Sequence, residues 1–205
     1  MSDNNTLMTG NSKADPTAKR TAQGRPRDKT LDAAILDATI LLLAETGYDA
    51  MSMELIARRL GCSRSSIYRR FPDKAALVAA AVTRQFELAN PVVPETGDAI
   101  QDITRLLFNT ARMLTESPVG AVIKALITVL DKDAELGRLA KEMEKGRRQY
   151  LLDAIARGAA RGEISDTQTD QKIDAALGAI YLRYLLLQKP VTRRYVQELT
   201  ETLFR

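Results

Sequence analysis

Six basic side chains fall within residues 58–74: Arg58, Arg59, Arg64, Arg69, Arg70 and Lys74. The stretch has one acid, Asp73. An arginine guanidinium can grip a guanine edge or a phosphate through two parallel N–H groups, while a lysine offers a point charge. Ser63, Ser65, Ser66 and Tyr68 are interleaved with them. Short hydroxyls such as Ser65 and Ser66 let a helix approach the floor of a groove. This mixture suits recognition of a polyanion better than bond-breaking.

Bond-breaking constellations are missing elsewhere. The chain has no His, which removes the commonest general base and the commonest metal ligand. There is no GxSxG, no SxxK and no glycine-rich phosphate cradle. Asp131 with Asp133, and Glu142 with Glu144, are adjacent carboxylates that lack further ligands, so no metal site is expected. No cofactor and no enzymatic activity are expected either.

The chain has 205 residues, 45% apolar, with a net charge of +4. That is enough for a sizeable core, and too little net charge to imply a polyanion partner by itself. Cys62 is the sole cysteine, so no internal disulfide can form. It reads as a small apolar core residue rather than a redox sensor. The first residues lack the apolar region of a signal peptide, and nowhere do eighteen apolar residues run together. A cytoplasmic protein with no membrane partner is expected.

The elements that must position the basic cluster are helical. Residues 1–24 are polar and read as a flexible tail. Leu31, Ala34, Ile35, Ala38 and Leu42 predict a first helix over about 28–46, stopped by Gly47. Ser52 can cap a second helix over 53–60, and Gly61 breaks it. Ser63 can cap a third over 64–70, which Pro72 ends, and Asp73 suits the start of a fourth. Glu54 stands four residues before Arg58 and could pair with it.

Asn90-Pro91, Pro94 and Gly97 interrupt the pattern, which places a domain boundary near 90. Apolar periodicity then predicts helices over about 100–117, 122–130, 133–161, 168–188 and 191–204. Strand signals are absent, so the fold class is all-α. Arg147-Arg148 and Arg193-Arg194 read as solvated helix faces. Gly158 and Gly162 read as loosening and ending a helix.

Two short helices joined by a three-residue turn containing Gly61 form a helix-turn-helix arrangement. There the second helix enters the major groove and the first crosses the backbone. GRPRDK, residues 24–29, could add a basic arm through Arg25 and Arg27.

The run SMELIARRLGCSRSSIYRRFPDKAALVAAAV, residues 52–83, resembles the DNA-binding domain of tetracycline-repressor-family (TetR) transcriptional regulators. Gly61, Ser63, Ile67, Tyr68, Phe71, Lys74 and Leu77 fall in register with that family's pattern. Arg64 matches its basic position, Cys62 replaces an apolar residue, and Ser65-Ser66 occupy its Gly-Thr pair. The resemblance covers about 28–90. It implies a three- or four-helix DNA-binding domain over 25–90, followed by a five-helix ligand-binding and dimerisation domain over 91–205.

It also implies roles. Ser52, Tyr68 and Lys74 would contact phosphate, and Arg64, Ser65, Ser66 and Arg69 would face bases or groove edges. Ile67 and Phe71 would be core. The partners would be an operator duplex, a small-molecule effector and a second copy of the chain. Helices over about 98–162 would enclose the effector, with Phe108, Met113, Leu126, Met143, Tyr150, Tyr181 and Tyr184 as candidate lining residues. The competing reading of each is ordinary core. The last two helices would pair with their twofold mates through Leu177, Tyr184, Val196, Leu199 and Leu203. A carrier or enzyme with a vestigial head, and a structural helical bundle, are the rival readings.

Overall fold

Short polar side chains set the helix starts. Ser52 Oγ accepts from the Leu55 N–H at 3.2 Å, Ser63 Oγ from Ser66 at 3.3 Å, and Asp73 Oδ1 from Ala76 at 2.8 Å. Each satisfies one of the amide donors that a helix leaves free at its first turn. Asp98, Asp133 and Thr192 do the same for later helices. The computed structural model describes residues 29–205. The tail, Arg25 and Arg27 lie outside the described residues.

The helices are α1 (Lys29–Ala50), α2 (Met53–Leu60), α3 (Arg64–Tyr68), α4 (Lys74–Ala89), α5 (Ala99–Glu116), α6 (Val119–Ile127), α7 (Ala134–Ala160), α8 (Thr169–Tyr181) and α9 (Arg193–Phe204). No strand occurs among the described residues. Four details depart from the sequence expectation, one being that the helix expected over about 122–130 runs from Val119 to Ile127, with its last three expected residues forming a turn. The regular part of α1 breaks at Gly47, yet a further turn continues to Ala50. The expected third helix is shorter by two residues, because Arg69 and Arg70 close it as a turn. The expected helix over 168–188 stops at Tyr181 and continues as a π-helical turn, Leu182–Leu186.

Two apolar clusters hold the helices. The first gathers Ile35, Leu43, Met51, Ile56, Ile67 and Leu77 from α1 to α4 and their connections. It does not end at residue 90. Val119, Val122, Leu126 and Leu136, from α6 and the start of α7, belong to the same cluster. The second joins α5, the latter half of α7, α8 and α9 through Ile103, Leu107, Ile155, Ile173, Ile180, Val196 and Phe204. Pro and Gly near 90 therefore mark a chain turn, while the core of the first unit extends into the second.

Polar contacts reinforce this joint. The Tyr48 hydroxyl, near the end of α1, donates to the Asp133 carboxylate, the cap of α7, at 2.6 Å. The buried Asn90 donates to the Phe86 carbonyl at 3.0 Å and accepts from Asn109 of α5 at 3.1 Å. Gly158 corrects the sequence expectation. A Cβ there would lie 2.3 Å from that of Ala99, so this glycine lets α7 cross the start of α5 closely.

Candidate nucleic-acid interface and cavity

Gly61 makes the turn between α2 and α3. Its φ of 63° is left-handed, a conformation glycine adopts without a Cβ clash. The Cys62 amide then returns to the Ala57 carbonyl at 3.0 Å. Ile67 is buried beneath α3 and Phe71 just after it, so the opposite face looks outward. That face carries Ser63, Arg64, Ser65, Tyr68 and Arg69, all exposed, with Ser66 half-buried and bonded to Ser63 at 2.8 Å. Tyr68 is 46% exposed, so its ring stands at the surface rather than in the core.

The basic cluster divides into free and committed groups. Arg70 has a side chain only 8% exposed; its guanidinium pairs with Asp32 and donates to the Ser66 carbonyl at 2.7 Å. It is an internal strut between α1 and α3. Arg59 binds Glu45 of α1 with both terminal nitrogens, at 2.6 and 2.8 Å. Glu54 pairs with Arg64 across the turn and not with Arg58 as its spacing suggested. Arg58 and Arg69 are exposed and make no ion pair among the described residues. Hydrogen bonding from Arg59 and its charge hold the Glu45 carboxyl below the ordinary range.

Lys74 opens α4. Its Nζ lies 4.1 Å above the Tyr48 ring and 3.4 Å from the Asp49 carbonyl. Burial pulls its pKa down, and Asp49 and Asp133 oppose that pull. Burial and the bond to Asp133 push the Tyr48 phenol up. The Leu136 amide and the Tyr48 hydroxyl hold the Asp133 carboxyl below its usual range. One end of this chain of contacts is the lysine expected at phosphate, and the other caps α7.

Behind the head lies a cavity of about 1060 Å³. Met113, Leu126, Met143, Tyr150 and Tyr181, all expected there, line it. Phe108 and Tyr184 do not. Phe108 packs against the second cluster, and the Tyr184 ring lies under the Lys124 ammonium at 4.6 Å. The walls were expected from helices over about 98–162 and from the tyrosines of the helix over 168–188, with nothing from the head. In fact α4 contributes Ala79, Thr83 and Phe86, and α8 contributes Leu177 and Gly178. A helix that starts at the interface thus forms one wall of the cavity.

Arg147 was read as a solvated residue, and the structure overturns that. Its side chain is 12% exposed and lines the cavity. It donates to the Tyr181 hydroxyl at 2.6 Å and to Glu144. Burial works against its charge, but Tyr181 and Glu144 outweigh that and raise its pKa. A sequence signal existed: Arg147 falls four residues after Met143 and three before Tyr150, on the stripe those apolar residues define. Its neighbour Arg148 reaches Asp174 at 2.6 Å and Asp170 at 3.1 Å.

Of the residues expected at a twofold interface, Leu177 and Val196 are buried within the subunit, where a second copy cannot reach them. Tyr184, Leu199 and Leu203 are half-buried. The exposed apolar side chains in this region are Leu182, Leu186 and Leu187, with Leu186 74% exposed. No described helix is long and apolar enough to cross a membrane. Among the described residues no cluster of His, Cys, Asp or Glu could hold a metal ion.

A capped pair of helices around a left-handed glycine turn, presenting serines and exposed arginines and joined to a helical body, defines a helix-turn-helix DNA-binding protein. Residues 35–81 match the family described as bacterial regulatory proteins, tetR family, and residues 93–203 match the tetracyclin repressor-like C-terminal domain. The chain belongs to the TetR family of transcriptional regulators.

Its relatives include the uncharacterized HTH-type transcriptional regulator YdeS of Bacillus subtilis, 34% identical over 185 residues, with 89% of this chain and 92% of that protein covered. The DNA-binding transcriptional repressor TetR of Mycobacteroides abscessus is 26% identical over 176 residues, covering 85% and 92%. Among solved structures, the TetR family transcription regulator SCO0332 superposes with a TM-score of 0.65 at 27% identity, covering 83% of this chain and 94% of the other.

Proposed function

We propose that this regulator binds an inverted-repeat operator as a homodimer, represses transcription from it, and is released by a small molecule held in the cavity. The observation that carries the reading is the outward face of α3, where Arg64, Ser65 and Tyr68 are exposed, followed by the exposed Arg69 that caps it. Arg58, Ser52, Tyr68 and Lys74 would bind phosphates, and Arg64, Ser65, Ser66 and Arg69 would meet base edges. Arg25 and Arg27 would add a basic arm. The name of the Mycobacteroides abscessus relative supports repression as the mode of regulation.

Release follows from the shared wall. α4 carries Lys74 at its first turn and Phe86 near its last, so an occupant pressing on Thr83 and Phe86 moves the helix that anchors the head. A ligand can shift the two head positions only by its differential affinity for them. Weakening DNA binding a hundredfold takes about 2.7 kcal/mol of that difference. Dimerisation would use the exposed leucines of the π-helical turn with Leu199 and Leu203. Twofold symmetry would then space the two α3 helices by about one DNA turn or a multiple of it.

Selection of bound duplexes from a random pool tests the reading. An inverted repeat with two similar half-sites is expected. Recovery of unrelated sequences, or of a single half-site, would refute it.

A further inference from the structure

The phosphate role proposed for Lys74 leaves open what holds that side chain in place, and Tyr48 addresses it. A lysine carries its charge on a flexible four-carbon stem, and ordering such a stem at an interface weakens binding. Here the stem is ordered within the folded chain. Lys74 Nζ lies 4.1 Å from the centroid of the Tyr48 ring and 3.4 Å from the Asp49 carbonyl oxygen. Both partners belong to the last turn of α1, whereas Lys74 opens α4. The face of an aromatic ring is negative, and it attracts an ammonium at this range.

The ring is itself fixed. Tyr48 is buried in the first apolar cluster, and its hydroxyl donates to the Asp133 carboxylate at 2.6 Å. An ammonium has three N–H donors. The ring face and the Asp49 carbonyl engage two sides of it, and the lysine is half-buried rather than buried, which leaves a donor for phosphate. We infer that Tyr48 is a positioning residue for DNA binding: its ring holds the Lys74 ammonium in the orientation that meets a phosphate, so that the ordering cost falls on folding and not on binding. This rests on the phosphate role of Lys74 proposed above.

The test uses the full-length chain and a mixed-sequence duplex, titrated by fluorescence anisotropy over a range of potassium chloride. Tyr48→Phe loses the Asp133 bond but keeps the ring, and should bind within about twofold of the native protein. Pentafluorophenylalanine at position 48 nearly keeps the shape of that variant and makes the ring face positive. Its affinity should be lower than that of Tyr48→Phe by about two- to tenfold, the range set by ordering one long side chain. In a Lys74→Ala background the two rings should bind alike, because the cation that distinguishes them is gone. NMR of the native protein needs no substitution at position 48, so it decides even where those variants fold poorly. The Lys74 methylene protons, identified by their absence in Lys74→Ala, should be shifted upfield by the ring and stay so when duplex is added.

If Lys74→Ala itself leaves affinity and salt slope unchanged, the phosphate role on which the inference rests is overturned. If Lys74→Ala weakens binding while fluorination changes nothing, or weakens it equally without Lys74, that role stands and the one assigned to Tyr48 is overturned. Tighter binding by the fluorinated protein, or an upfield shift lost on adding duplex, would also overturn it, since the ring would then be competing with DNA for the ammonium.

Discussion

At the scale of single residues, internal acids already hold some of the arginines that DNA would claim. Arg64 is exposed yet paired with Glu54, so binding a base edge requires exchanging one partner for another. A surface pair of this kind is worth about 0–1 kcal/mol, and a good bidentate base contact about 1–3 kcal/mol, so the exchange favours DNA. Arg64→Ala should therefore weaken operator binding by about 1–3 kcal/mol and relax sequence preference, as a gel-shift titration on matched and mismatched duplexes would report. Lys74→Ala should instead weaken all duplexes alike and lower the salt slope by about one unit. Equal binding by both variants and the native protein would remove α3 from the groove. Glu54→Gln takes away the competitor and one repulsive charge. It should tighten binding to every duplex by a few-fold in the same assay.

At the scale of elements, the joint between head and body is tightly packed and partly electrostatic. Gly120 opens α6 where a Cβ would lie 1.9 Å from the Leu114 carbonyl oxygen and 2.1 Å from the Tyr184 hydroxyl. The Leu114 carbonyl cannot withdraw without moving α5, while the Tyr184 ring would have to turn aside. Gly120→Ala should cost about 1–3 kcal/mol and lower the midpoint of thermal unfolding, despite the higher helix propensity of alanine.

Tyr48 joins the elements differently, through one bond to the charged Asp133. Tyr48→Phe should cost about 1.5–3 kcal/mol at neutral pH. The folded-state pKa of Asp133 is depressed, so this stabilisation is complete above the unfolded value near 3.9 and is lost as pH falls through the folded pKa. Denaturant melts should thus show the gap between Tyr48→Phe and the native protein closing below about pH 4. A gap that widens there would mean that Asp133 is not the group responsible.

At the scale of the whole molecule, exposed leucines on the π-helical turn are the surface that a second copy would cover. Leu186→Glu places a charge at the most exposed of them. It should shift the protein from dimer to monomer in sedimentation, with unfolding of the subunit itself little changed. Both species remaining dimeric would move the interface elsewhere.

The residues alone determined the helical class, the cap at each early helix and the turn around Gly61, because propensity, capping and φ preference act within a few residues of one another. They also determined that Ser63, Arg64, Ser65, Tyr68 and Arg69 share one outward face, since they lie on one short helix and its two caps, with Ile67 on the opposite, apolar face. Only the folded chain decided which arginines are free. Arg70 is spent on Asp32, thirty-eight positions away, and Arg59 on Glu45, pairings that no local spacing announces. Only the folded chain placed Arg147 in a cavity wall and carried the first core past residue 90 into α6. Burial and long-range ion pairing depend on what lies across the gap between helices, and periodicity along one helix records only that a face is apolar, never what meets it.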